Sequence, residues 1–134
     1  MIIEINPLKP TPLYEQLRNQ VILGRAAKEL APGETLPSVR RLAADLSINF
    51  HTVNKAYTML CDEGYLTLDR RRGAALAPNV PKDERFLSRL SDQLTQAAAE
   101  SLCRDMDEAE FITLCSHCYH HAQGHKKNGE THHA

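Results

Sequence analysis

At 134 residues, with 42% apolar and 25% charged side chains, the sequence fits one ordinary soluble domain or a compact domain with a small appendage. No stretch approaches the length of a membrane span, and the opening MIIEINP is too short an apolar run for a signal peptide; a cytoplasmic chain is expected, with Cys61, Cys103, Cys115 and Cys118 as reduced thiols. The formal net charge of −1 gives no global sign of nucleic-acid binding, so such a function requires positive charge to be concentrated locally.

Taken in chain order, residues 2–6 suggest a short extended arm. Pro7, Pro10 and Pro12 delay the first helix, which Pro12 can open. Leu13, Leu17, Val21 and Leu23 then recur at roughly helical spacing, and the helix can run through Ala26 and Ala27. APGET is a loop broken by Pro32-Gly33. In LPSVRRLAADL, Val39, Leu42, Ala43 and Leu46 form one stripe, with Ser38 at the cap. A break at Ser47-Ile48-Asn49 leads to a third helix, capped by Asn49. Val53, Ala56, Tyr57 and Leu60 are its buried stripe, and Gly64 is its stop.

The period then changes. Tyr65–Leu68 reads as a strand, DRRRG as a tight basic turn and AALA as the returning strand. The predicted fold class is therefore mainly α with a small β-hairpin wing. It is a winged helix-turn-helix over residues 1–78, with a helical appendage over 79–122. In that appendage Phe86, Leu87, Leu90, Leu94, Ala97, Ala98 and Leu102 mark one amphipathic helix. Phe111, Ile112, Cys115, Cys118 and Ala122 mark another. Residues 123–134 are expected to be a disordered, histidine-containing tail.

A sequence-reading DNA binder grips phosphates and inserts one element against the base edges. The third helix offers His51, Thr52, Asn54 and Lys55 on its exposed faces. Ser38, Arg40 and Arg41 stand beside the free amides of a helix N-terminus, a natural anion site. Arg70, Arg71 and Arg72 sit at the wing tip, with Gly73 closing the turn. From Leu36 to Gly73 six cations face four carboxylates, whereas from Lys82 to Glu110 four cations face eight. The near-neutral total thus hides a basic front and an acidic back. The plainer readings are a solvated loop for the arginines and a simple cap for Ser38; their joint order and spacing favours DNA.

The runs PLYEQLRNQVILG, APGETLPSVRRLAADL, NFHTVNKAYTMLCDEGYL and RRRG closely resemble the winged-helix domain of the GntR family over residues 10 to 77. The short remainder resembles the YtrA-like subfamily. That resemblance implies a dimeric repressor that binds double-stranded DNA at a palindromic operator, often that of an ABC-transporter operon, and not an enzyme. It implies phosphate contacts at Ser38 and Arg40, operator contacts at Asn49, His51, Thr52 and Lys55, and a wing tip at Arg72 and Gly73. The residues after Pro81 have no room for the family's larger acid-, sugar- or pyridoxal-phosphate-binding domains. Phe50 departs from the proline common in the subfamily, and RRRGAALA lacks the usual second glycine and following threonine.

The same resemblance gives dimerisation to the C-terminal helices, and helices too small for a core of their own must bury their stripes. Phe86, Leu87, Leu90, Leu94, Phe111, Ile112 and Cys115 are the expected dimer contacts. CSHCYHHAQGH adds a second reading: Cys115, Cys118, His121 and His125 as zinc or copper ligands, making a metal-responsive repressor. Against it, only one cysteine pair is present, and small apolar cysteines also suit a helix interface; no cofactor is the simpler expectation. A thiol enzyme built on a Cys/His pair lacks any legible oxyanion donors. The effector is left open.

Overall fold

The computed structural model describes residues 3–71 and 73–124. They form α1 (Leu13–Ala26), α2 (Val39–Leu46), α3 (Phe50–Asp62), β1 (Leu66–Asp69), β2 (Gly73–Leu76), α4 (Glu84–Leu102) and α5 (Glu108–Ala122). This is the expected mainly helical fold with a small hairpin wing. The chain divides into two compact units, residues 1–80 and 81–134.

In the first unit the three helices and the wing enclose one aliphatic core. Leu17 and Val21 from α1, Leu42 and Ala43 from α2, and Val53, Ala56, Tyr57 and Leu60 from α3 are buried together with Leu66, Ala74 and Leu76. The α3 stripe is the one its period indicated. The α1 stripe is not: Leu23 is 51% exposed, and Gly24 faces inward in its place. A Cβ at Gly24 would lie 3.0 Å from Leu30 Cδ1, so the helix leaves room there for Leu30, which is 1% exposed. Leu30 folds back under the helix because its N–H and that of Glu29 both donate to the Gly24 carbonyl.

Ion pairs and side-chain bonds tie distant segments together. Arg18 reaches from α1 to Glu63 at the end of α3, with Nη2–Oε1 at 2.5 Å and both side chains largely buried. Arg25 donates to the carbonyls of Ala77 and Pro78 just beyond the wing. The N-terminal arm is held on α1 by the Gln16 amide, which accepts from the Asn6 N–H and donates to the Asn6 and Thr11 carbonyls.

The wing pairs antiparallel with Leu66 opposite Leu76 and Asp69 opposite Gly73. The first strand starts one residue later than the sequence pattern indicated. The Tyr65 N–H is taken by the Leu60 carbonyl, finishing α3. A third segment, inside the expected loop ahead of α2, also joins the hairpin: Thr35 bridges Ala75. The Leu36 N–H bonds to Ala74 and the Leu76 N–H to Glu34, each at 2.8 Å. The wing is thereby anchored against the start of α2.

Tyr57 Oη donates to the Pro37 carbonyl at 2.7 Å, tying α3 to the same segment. Tyr57→Phe should cost about 1 kcal/mol, the usual net worth of such a bond. Burial also pushes the Tyr57 phenol up to about 12, whereas a tyrosine in an unfolded chain ionises near 10. Below pH ~10 both states hold the proton and stability is unaffected by it. Between ~10 and ~12 the unfolded chain sheds the proton first, so stability falls as pH rises. Urea melts at about pH 9 and about pH 11 should therefore diverge more for the wild type than for Tyr57→Phe.

In the second unit, α4 and α5 each begin at an aspartate cap. Asp83 accepts from the Phe86 N–H and Asp107 from the Glu110 N–H, both through Oδ1. The turn between them places Asp105 at φ 63 and sends the Met106 N–H back to the Ser101 carbonyl. No residue of either helix is buried. Leu87, Leu90, Leu94 and Ala98 of α4 with Phe111 of α5 line an open groove of about 400 Å³, and Leu87 and Leu94 are nearly half exposed.

Candidate nucleic-acid interface

Two helix starts and one hairpin tip carry the residues marked out by the sequence. At the first start, Ser38 Oγ accepts the Arg41 N–H at 3.1 Å. The hydroxyl is thus a cap, and its own O–H proton remains available for a phosphate oxygen. Arg40 and Arg41 follow it, both exposed. The Arg41 guanidinium makes a solvent-exposed contact with Asp45, Nε–Oδ2 at 3.8 Å, weak enough to be exchanged for a phosphate.

At the second start, Asn49 Oδ1 accepts the His51 N–H at 2.7 Å. This fixes the first turn of α3 and occupies the amide oxygen, while the NH₂ group keeps its donors. His51, Asn54 and Lys55 are exposed and Thr52 is half-buried, all on faces away from the Val53–Ala56–Tyr57–Leu60 stripe. The two helix starts are linked because α2 ends in a left-handed residue, Ser47 at φ 56. The Ile48 N–H closes that turn on the Ala43 carbonyl.

At the wing tip, Asp69 Oδ1 accepts the Arg71 N–H at 2.7 Å, an Asx turn that starts the reversal. Gly73 completes it at φ +76, and a Cβ added there would meet nothing within 4 Å, so conformation and not crowding calls for glycine. Arg70 and Arg71 are exposed at the tip; Arg72 lies outside the described residues.

Two contacts had no signal in the local sequence pattern. Lys55 Nζ lies 4.0 Å above the Tyr14 ring, which leans the ammonium toward α1 and fixes where its charge is presented. Arg40 Cζ lies 5.4 Å from the Phe50 ring centroid. Both pairs join residues from different helices, so no spacing rule reveals them.

The candidate ligand set is Cys115, Cys118, His121 and His125. Among the described residues no three His, Cys, Asp or Glu side chains come together as metal ligands, and His125 lies outside those residues. At about 100° per residue, Cys115 and Cys118 share a face, but His121 is rotated roughly 120° from Cys115. Cys115 is half-buried and Cys118 exposed. The metal-responsive reading therefore finds no support.

The sequence matches the family described as bacterial regulatory proteins, gntR family, over residues 11–76. It is 36% identical over 97 residues to the HTH-type transcriptional repressor YtrA of Bacillus subtilis (strain 168), spanning 71% of this chain and 75% of that protein. It is 30% identical over 97 residues to the HTH-type transcriptional regulator YhcF of the same organism, spanning 72% of this chain and 77% of that one. Among solved structures, YtrA from Sulfolobus acidocaldarius, a GntR-family transcription factor, superposes with a TM-score of 0.59 at 37% identity, covering 72% of this chain and 99% of that chain. A transcriptional antiterminator from Listeria monocytogenes EGD-e shares the fold over 92% of this chain and 93% of its own, with a TM-score of 0.85 at 21% identity. Among the described residues no helix is long and apolar enough to cross a membrane. A winged helix with this sequence and these relatives belongs to the GntR family of bacterial regulatory proteins, in its YtrA-like subfamily, as a DNA-binding transcription regulator.

Proposed function

We propose that this protein is a dimeric, operator-binding repressor acting in the cytoplasm, without enzymatic activity and without a cofactor. In this reading α3 enters the major groove, with His51, Thr52, Asn54 and Lys55 toward the bases and Asn49 at its cap. Ser38, Arg40 and Arg41 hold the phosphate backbone beside it. The wing tip, with Arg70, Arg71, Arg72 and Gly73, follows the adjacent backbone or minor groove. The observation that carries this is the union of two capped helix starts and an arginine-tipped hairpin on one unit.

The partner surface is proposed on the second unit. Phe86, Leu87, Leu90, Leu94, Phe111, Ile112 and Cys115 belong to helices with no buried residue, and a second copy would cover them. A two-fold dimer presents its reading helices to half-sites about 34 Å apart, so the operator should be palindromic with that spacing.

Fluorescence anisotropy tests it, comparing DNA from the region upstream of the protein's own operon with a random duplex of equal length. Binding to the former should be tighter by about a thousand-fold or more. The logarithm of the affinity should fall linearly with the logarithm of salt concentration. Equal binding to both duplexes would contradict self-regulation, and no binding to any duplex would overturn the reading itself.

A further inference from the structure

Phe50 is out of place. It opens α3 and is 40% exposed, and it is not among the apolar residues packed against the core. Phenylalanine gives no advantage at the first position of a helix, where proline or a small polar residue does better. Neither packing nor local structure accounts for it. What surrounds the ring is instead the proposed reading surface: Arg40 of α2 with Cζ 5.4 Å from its centroid, and His51 with ring centroids 5.6 Å apart at 79°.

The Arg40 contact is of the cation–π kind, which uses the charge over the ring and consumes none of the five guanidinium N–H donors. The arginine is thus pre-positioned at little cost to its hydrogen-bonding capacity. The ring itself has neither donor nor acceptor and cannot read the hydrogen-bonding pattern of a base edge. The one apolar mark in the major groove is the C5-methyl of thymine.

We propose that Phe50 is a specificity residue, its ring set between Arg40 and His51 at the mouth of α3 to pack against a thymine C5-methyl in each half-site. This rests on the reading of α3 as the helix that enters the major groove. Burying one such methyl is worth about a four-fold change in affinity, taking roughly 0.8 kcal/mol per buried carbon unit.

The test begins with selection of a binding sequence from a random duplex pool by the full-length protein. Each thymine of the enriched duplex is then replaced singly by uracil, which removes the methyl and leaves every hydrogen-bonding group in place. Wild-type protein should lose about four-fold at one thymine per half-site. Phe50→Ala should bind the thymine duplex more weakly and show no further loss with uracil at that position. The ring lies outside the core, so folding is not at stake.

An unchanged uracil penalty in Phe50→Ala would overturn the assignment, as would a wild type insensitive to every thymine methyl. Transfer of the sensitivity to Thr52, seen as its loss in Thr52→Ser, would likewise overturn it. Failure to enrich any sequence would count against sequence-specific binding itself, separately from these outcomes.

Discussion

Leu60→Ala should lower the unfolding free energy of the DNA-binding unit by about 3 kcal/mol, within the range usual for truncating a buried leucine. Leu60 has no exposed surface. It stands at the C-terminal end of the α3 stripe, where its carbonyl also receives the Tyr65 N–H that ends the helix. Its neighbours come from several elements whose positions are fixed by other bonds: Arg18 to Glu63 from α1, and the three-segment wing sheet on the far side. Those restraints keep the walls from collapsing inward, so most of the cavity should persist, and residual cavity volume is what raises the cost.

A unit of about 80 residues has roughly 4–12 kcal/mol in hand. The change thus removes a large share, and the midpoint of urea unfolding should fall by about 2 M. Affinity for DNA in the absence of denaturant should change little, because the side chain faces away from the interface. A shift below about 0.5 M would mean that the core repacks around the gap. A large loss of affinity in a fully folded protein would mean that the reading surface is set by the core more directly than its exposed faces indicate.

The parts of this fold legible in the sequence are those encoded over short separations. Val53, Ala56, Tyr57 and Leu60 announce α3 by their spacing alone, and Ser38 and Asn49 announce the caps of α2 and α3. The wing is legible because a basic turn with glycine interrupts two short apolar runs. What escapes is decided between segments. Leu23 falls acceptably on a helical stripe, yet Gly24 is the position turned inward, because Leu30 returns beneath the helix. Thr35 reads as loop, since a single bridge to Ala75 carries no alternation. The candidate interface divides in the same way: the exposed polar faces follow from helix geometry, whereas Tyr14 beneath Lys55 and Phe50 beneath Arg40 depend on how the helices cross. The cysteine–histidine run misleads for a related reason. Closeness in sequence does not ensure convergence: His121 is turned roughly 120° from Cys115, and among the described residues no three such side chains come together as metal ligands.

Removing residues 81–134 should weaken binding to a two-half-site operator by about 100-fold or more while leaving the first unit folded. Every residue of its core cluster lies between Leu17 and Leu76, and Arg25 secures the segment at Ala77 and Pro78, so the fragment keeps what it needs to fold. What it loses is proposed to be the link between two reading helices. A stable link makes the second half-site contact effectively intramolecular, and such avidity is commonly worth about 10² to 10⁴. The fragment should therefore sediment as a monomer, match the full-length protein on a duplex bearing one half-site, and fall behind it only on two. Leu90→Asp with Leu94→Asp in the full chain should reproduce the effect, since a carboxylate in the groove lined by Leu87, Ala98 and Phe111 would have to be desolvated at an interface. Equal losses on one-site and two-site duplexes would instead place residues 81–134 in contact with DNA, an unfavourable arrangement for a segment with four cations against eight carboxylates up to Glu110. If neither the deletion nor the double substitution alters two-site binding, dimerisation through α4 and α5 is wrong, and the apolar groove must serve a different partner.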